Sequence, residues 1–243
     1  MKYLFTTISV ALILVACNNV SSEQKGTFSI PTTVKIVGAM KNVMWKGELQ
    51  GTIDLDTISN KNHLYGFGPM EYLTGELLII DGISYISTVI NDSSMKVEEN
   101  YKTKAPFFAY ANIENWVETP LPDSVNSLTT LENYLNESTT NSIRPFLFKL
   151  EGNMEEASIH IVNLPKGAEV HSPEDAHKER KSYFLKNEDV SVIGFFSTEH
   201  KTIFTHHDTF FHMHLITNNK SKMGHCDEMK FDSKKMKLYL PKK

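Results

Sequence analysis

At 243 residues, the chain is long enough for one large domain or two small ones, and its 40% hydrophobic and 22% charged content is ordinary for a globular protein. Lysine and arginine total 25 against 29 acids, a net charge of −4 that offers no basic footprint for nucleic acid. No stretch after residue 20 is long and apolar enough to cross a bilayer as a helix.

The N-terminus departs from this average. Lys2 precedes an apolar run over residues 3–16, and Leu14-Val15-Ala16 leads into Cys17. A basic start, an apolar stretch and small residues before a cysteine form the pattern of a bacterial lipoprotein signal. Residues 1–16 are therefore expected to be removed, and Cys17 acylated. The mature protein would be exported and anchored to a membrane through Cys17, facing the periplasm or the outer surface. Serine at position 17 should release the protein from the membrane fraction; unchanged association would reject the assignment. The polar residues 17–30 read as a flexible tether.

Beyond the tether, the pattern is strand-rich. Residues 32–37 read as a strand, and 39–54 as a helix running into a loop, weakened by Gly47 and Gly51. Gly66-Phe67-Gly68-Pro69 reads as a turn in a buried setting. Residues 75–80 and 83–89 are strands joined by Asp81-Gly82, a strong hairpin signal. Residues 105–113 form another apolar strand. Leu128, Leu131 and Leu135 recur at helical spacing within 127–135. The polar stretch 136–142 marks a subdomain boundary, giving an N-terminal β-rich part, 31–140, and a C-terminal metal-binding part, 141–243. In the second part, 145–151, 157–163, 190–197 and 235–240 read as strands, with a short helix near 173–181. The expected class is α+β: two mixed β-sheet subdomains, a few short helices and a metal site on a C-terminal hairpin.

That hairpin carries the chemistry. Residues 210–217 alternate apolar and histidine positions, so His212 and His214 project to one face. Asn218-Asn219-Lys220-Ser221 is a turn signal. Centring the turn between Asn219 and Lys220 sets His214 opposite His225, with Cβ atoms about 4.5–5.5 Å apart. Three imidazoles on one side of an ion, with the other side open, suit a catalytic rather than a structural zinc. Cys226 should point the other way as a small buried apolar residue. With Cys17 acylated, it has no disulfide partner. His206-His207-Asp208 reads as a polar loop beside the hairpin, and His63, His171, His177 and His200 receive no role.

Taken in order, these segments resemble the alpha-acetolactate decarboxylase family. The hairpin with Met223-Gly224-His225 is similar to the family's His-x-His followed by Gly-Gly-His. Residues 65–70, Gly75-Glu76, Asp81-Gly82 with Tyr85, and Ala105-Pro106-Phe107-Phe108-Ala109 are similar to its upstream motifs. Residues 148–152 and 193–195 fit its second half. The resemblance implies metal-dependent decarboxylation of 2-acetolactate to acetoin and CO2, a small 2-hydroxy-3-oxo acid as substrate, and room for a homodimer. It implies zinc, or another divalent first-row metal, on His212, His214 and His225, with Glu76 as an active-site acid. Where the family carries an arginine, this chain has His160, which takes a catalytic role on the same footing. A further acid that the family brings from its C-terminal tail has Asp227 and Glu228 as its nearest local equivalents. Two alternatives follow: an enzyme of the same scaffold acting on another 2-hydroxy-3-oxo acid, or a surface lipoprotein that binds metal without catalysis.

Overall fold

The computed structural model describes Ile30, residues 33–205 and residues 209–242. The signal segment, Cys17, most of the tether and His206-His207-Asp208 lie outside the described residues.

In chain order the elements are β1 (Lys35–Val37), α1 (Met40–Lys46), β2 (Ile53–Asp54), β3 (Leu64–Pro69), β4 (Glu76–Ile80), β5 (Ile83–Asn91), β6 (Ser94–Glu99), β7 (Lys104–Ala105), β8 (Phe108–Asn112), β9 (Trp116–Thr119), α2 (Leu128–Ser138), β10 (Phe146–Ile161), α3 (Pro173–His177), β11 (Lys181–Phe196), β12 (Phe211–Thr217) and β13 (Met223–Pro241). They build a six-stranded sheet in the order β1-β8-β3-β4-β5-β6 and a five-stranded sheet in the order β10-β11-β12-β13-β9, with β2 and β7 paired apart. The strand-rich α+β expectation holds. The pairings within both sheets are antiparallel, however, rather than mixed. β4 and β5, β5 and β6, and β12 and β13 are joined by short turns, which antiparallel neighbours allow and parallel ones do not.

β13 also pairs with β10, so β10, β11, β12 and β13 close into a ring. Ring closure removes the exposed edges that an open sheet would carry. Residues 145–151 and 157–163, read as separate strands, are one continuous strand, β10. Its polar middle, Gly152 to Glu156, stays extended because it is paired on both sides. Gly152 sits at φ 151, where β13 approaches so closely that a Cβ would lie 2.1 Å from the Lys235 carbonyl oxygen. Residues 235–240 are likewise the far end of β13, not a separate strand.

The segment Gly66-Phe67-Gly68-Pro69 is a strand and not a turn. Its glycines serve close approach. A Cβ at Gly66 would lie 2.7 Å from the Ala109 carbonyl oxygen, and one at Gly68 would lie 2.4 Å from that of Phe107. Asp81 and Gly82 do form the expected tight turn, with φ of 48° and 79°. α1 follows from Met40, Val43 and Met44 on one buried face, and Gly47 ends it in the left-handed conformation. α2 is started by a capping box between Ser127 and Thr130.

The two sheets pack face to face through Tyr65, Phe67 and Leu78 from one side and Leu147, Ile193, Phe195, Ile216 and Met223 from the other. Each such buried side chain contributes about 1.5–3 kcal/mol. A separate cluster gathers α1, Leu73, Phe107, Val162 and α3 over one end of the sheet interface. The candidate site lies beneath that cover.

Candidate metal centre

β12 is buried on both faces. Phe211, Met213 and Leu215 enter the core of the second sheet, which leaves His212 and His214 facing the first. The turn places His214 opposite His225, Leu215 opposite Gly224 and Ile216 opposite Met223, the register expected from the sequence. Ring centroids are 5.3 Å apart for His212 and His214, 4.9 Å for His212 and His225, and 5.6 Å for His214 and His225. One ring nitrogen from each lies within 4.8 Å of the others, and all three residues are buried.

Their orientation is imposed from outside the hairpin. The His212 Nδ1 lies 2.6 Å from the Phe204 carbonyl oxygen. A carbonyl only accepts, so Nδ1 carries the hydrogen and Nε2 is the nitrogen that could ligate. Phe67 stacks on His214 at 4.6 Å and 18° and meets His212 edge-on at 4.7 Å. The residue read as part of a turn is thus the floor beneath two imidazoles. Cys226 points into the opposite core, and burial pushes its thiol up to about 12. It is therefore no competitor as a ligand. Three neutral nitrogen donors on one side suit a late first-row divalent ion with an open position.

Glu76 opens β4 opposite Pro69. It is 3% exposed. Its Oε1 accepts a hydrogen bond from the Val162 N–H at 3.1 Å, and its Oε2 lies 3.7 Å from the His214 Nε2. Burial pushes this carboxyl well above the ordinary carboxylate range; the Val162 bond opposes the shift, and the charge of Asp227 adds to it. The sequence placed Glu76 at the mouth of an apolar strand, and its carboxyl does meet the histidine face.

His160 is also at the site. Strand pairing puts it opposite His225, with ring centroids 4.7 Å apart. Gly224 permits this approach, since a Cβ there would lie 2.5 Å from the His160 carbonyl oxygen. The His160 Nδ1 lies 2.8 and 2.9 Å from the two Asp227 oxygens, which fixes a proton on that nitrogen. Asp227 is therefore a partner of His160 rather than a solvated acid. His177, given no role from sequence, packs edge-on against His160 at 5.6 Å. Burial, and the neighbouring His160, hold its imidazole below the usual range. No periodicity or spacing links His177 to the hairpin; only the packing of α3 does.

Two adjoining cavities open over these residues and share Met40, Met44, His177, His212 and His225. The larger, about 310 Å³, also reaches Trp45, Arg180 and Asp227. The smaller, about 30 Å³, lies deeper between Glu76, His160 and Phe107 and has room for a water-sized group.

Residues 37–242 match the alpha-acetolactate decarboxylase family model. An alpha-acetolactate decarboxylase of Brevibacillus brevis is 23% identical over 198 residues, covering 81% of this chain and 66% of the relative. The chain thus spans just under two thirds of that relative's length. Among solved structures, alpha-acetolactate decarboxylase from Bacillus subtilis strain 168 superposes with a TM-score of 0.68 at 17% identity over 86% of each chain. A Staphylococcus aureus protein of unknown function, described as similar to alpha-acetolactate decarboxylase, gives 0.68 at 15% identity over 86% of this chain and 84% of its own. At such identities the likeness is one of fold.

Proposed function

We propose that this chain, which belongs to the alpha-acetolactate decarboxylase family, converts 2-acetolactate to acetoin and CO2 with a divalent ion, zinc first, on His212, His214 and His225. The observation that carries the reading is the Glu76 carboxyl, buried and turned toward the three-imidazole face, 3.7 Å from the His214 Nε2. A site that only stored metal would have no use for a raised acid there.

The residues divide the work. Loss of CO2 next to a ketone leaves an electron pair that needs a sink, and a divalent ion on the three histidines supplies Lewis acidity for it. Burial raises the affinity of the Glu76 carboxyl for a proton, which suits it to deliver one to the carbon the CO2 has left. The Val162 N–H fixes Oε1, so the acid has one orientation. His160, held through Nδ1 by Asp227, makes no hydrogen bond through Nε2 among the described residues and lines the deeper cavity with Glu76. It positions the reacting group against Glu76. The apolar walls of Met40, Met44 and Phe107 leave beside both no more than the space of a water-sized group.

The expected result is acetoin and CO2 in equal amounts from racemic acetolactate with the metal-loaded protein, lost on chelation and restored by zinc. A protein that holds its metal and leaves acetolactate unchanged would overturn this reading. The His160–Asp227 pair favours one second reading, the same chemistry on another 2-hydroxy-3-oxo acid. Faster turnover of a homologue with a longer substituent would select it.

A further inference from the structure

We infer that Arg180 selects the substrate by gripping its carboxylate at the mouth of the larger cavity, an inference that rests on the decarboxylase reading above.

Charge is the first argument. Arg180 is the one lysine or arginine among the described residues lining either cavity. Of the acids there, Asp227 is engaged by His160 and Glu76 by the Val162 N–H. Much of the remaining wall is apolar, with Met40, Met44, Trp45 and Phe211. An anion entering this space meets a single guanidinium.

Placement is the second argument. Arg180 links α3 to β11, and its backbone N–H donates to the His177 carbonyl oxygen at 3.1 Å. The next residues are paired with β10, Lys181 with Ile161 and Ser182 with His160. Arg180 is thus anchored on both sides, one step beyond the pair that adjoins Val162, whose N–H holds Glu76. Its side chain is exposed and makes no ion pair among the described residues. It is fixed by its backbone and free at its tip, as a recognition group at a pocket mouth must be. The guanidinium offers two parallel donors to a carboxylate, whereas a lysine offers a single point charge. The same cavity is lined by His212 and His225, so a small hydroxy-oxo acid would present its oxygens to the imidazoles and its carboxylate to Arg180.

The test compares two ligands that differ in the carboxylate alone. Calorimetry on the zinc-loaded protein would use 2,3-dihydroxy-2-methylbutanoate, which cannot lose CO2 like the oxo acid, and butane-2,3-diol, which lacks the carboxyl group. The wild type should bind the acid at least tenfold tighter than the diol. Arg180→Gln should abolish that preference and leave diol binding unchanged. In kinetics the same variant should raise KM for acetolactate about tenfold or more without lowering kcat, because the contact is made to the carboxylate of the bound substrate, whose charge fades as CO2 leaves. A preference for the acid that survives Arg180→Gln would overturn the assignment. Should the glutamine variant lose thermal stability, Arg180→Lys decides, because it keeps the charge and loses the fork. A weakened preference supports the fork, and an undiminished one rejects it. The outcomes separate this inference from the broader reading. A wild type that turns over acetolactate alongside an indifferent Arg180→Gln rejects Arg180 only. An inert wild type rejects the reaction, and the ligand preference still judges Arg180.

Discussion

Glu76→Gln should lower turnover of acetolactate by about 10²–10⁴-fold, the range for a positioned proton donor, while metal content and fold persist. Glutamine keeps the shape of the side chain and can still accept the Val162 N–H bond through its carbonyl oxygen. What it lacks is the transferable proton. The loss should fall on kcat and kcat/KM together, because the interaction removed belongs to the transition state. A variant with more than a tenth of wild-type kcat would remove Glu76 from the chemistry. Stability provides a second readout in the metal-free protein. A buried carboxyl with a raised pKa retains its proton where the unfolded chain, near 4.3, has released it. Its stabilising contribution is present below that value and declines as pH rises toward the folded-state value. Glutamine removes the decline, so the advantage of Glu76→Gln over wild type should grow from pH 4 toward neutrality. Equal pH profiles would show that the carboxyl is less buried than its position between β4 and β10 requires.

His214→Ala should abolish both bound metal and activity. His214 is 0% exposed, stacks on Phe67 and stands opposite His225 in the hairpin. Its removal leaves two imidazoles, and the ion's third contact is gone. The substitution also vacates a packed space, so a loss of stability is expected, and His214→Gln is the companion variant that fills it. Elemental analysis per chain is the measurement, with His171→Ala as the control because that side chain is 76% exposed. Equal zinc content in His214→Gln and wild type would take His214 out of the ligand set.

The parts of the site that were legible in the sequence are the ones built by neighbours in the chain. Alternation over β12 and the turn chemistry of Asn218–Ser221 were enough to set His214 against His225, because a hairpin's register follows from its turn. Glu76 stood out only through the family pattern; its approach to His214 depends on two sheets docking. The bond between His160 and Asp227, and the positions of His177 and Arg180, depend on how α3 and the ends of β10 and β11 fold over the cavity. No local pattern encodes those contacts. The error over Gly66-Phe67-Gly68 has a physical cause. Glycine serves both tight turns and close strand approach, and only the position of Phe107 and Ala109 on the neighbouring strand separates the two. The polar middle of β10 misled for a similar reason, since pairing on both sides keeps extended a segment whose composition reads as loop.

The hairpin has a consequence for the order in which the centre is assembled. All three imidazoles belong to β12 and the first residues of β13, so a short loop closure is enough to bring them together. Glu76 reaches its anchor at Val162 across 86 positions of chain. Contacts that distant form late, after the local ones. A chain that has made only its hairpin already gathers the three imidazoles, before an acid stands beside them. On the proposed function, bound metal is therefore expected to report the hairpin, and turnover the finished molecule. Variants that loosen the docking of the two sheets should emerge metal-replete and inactive.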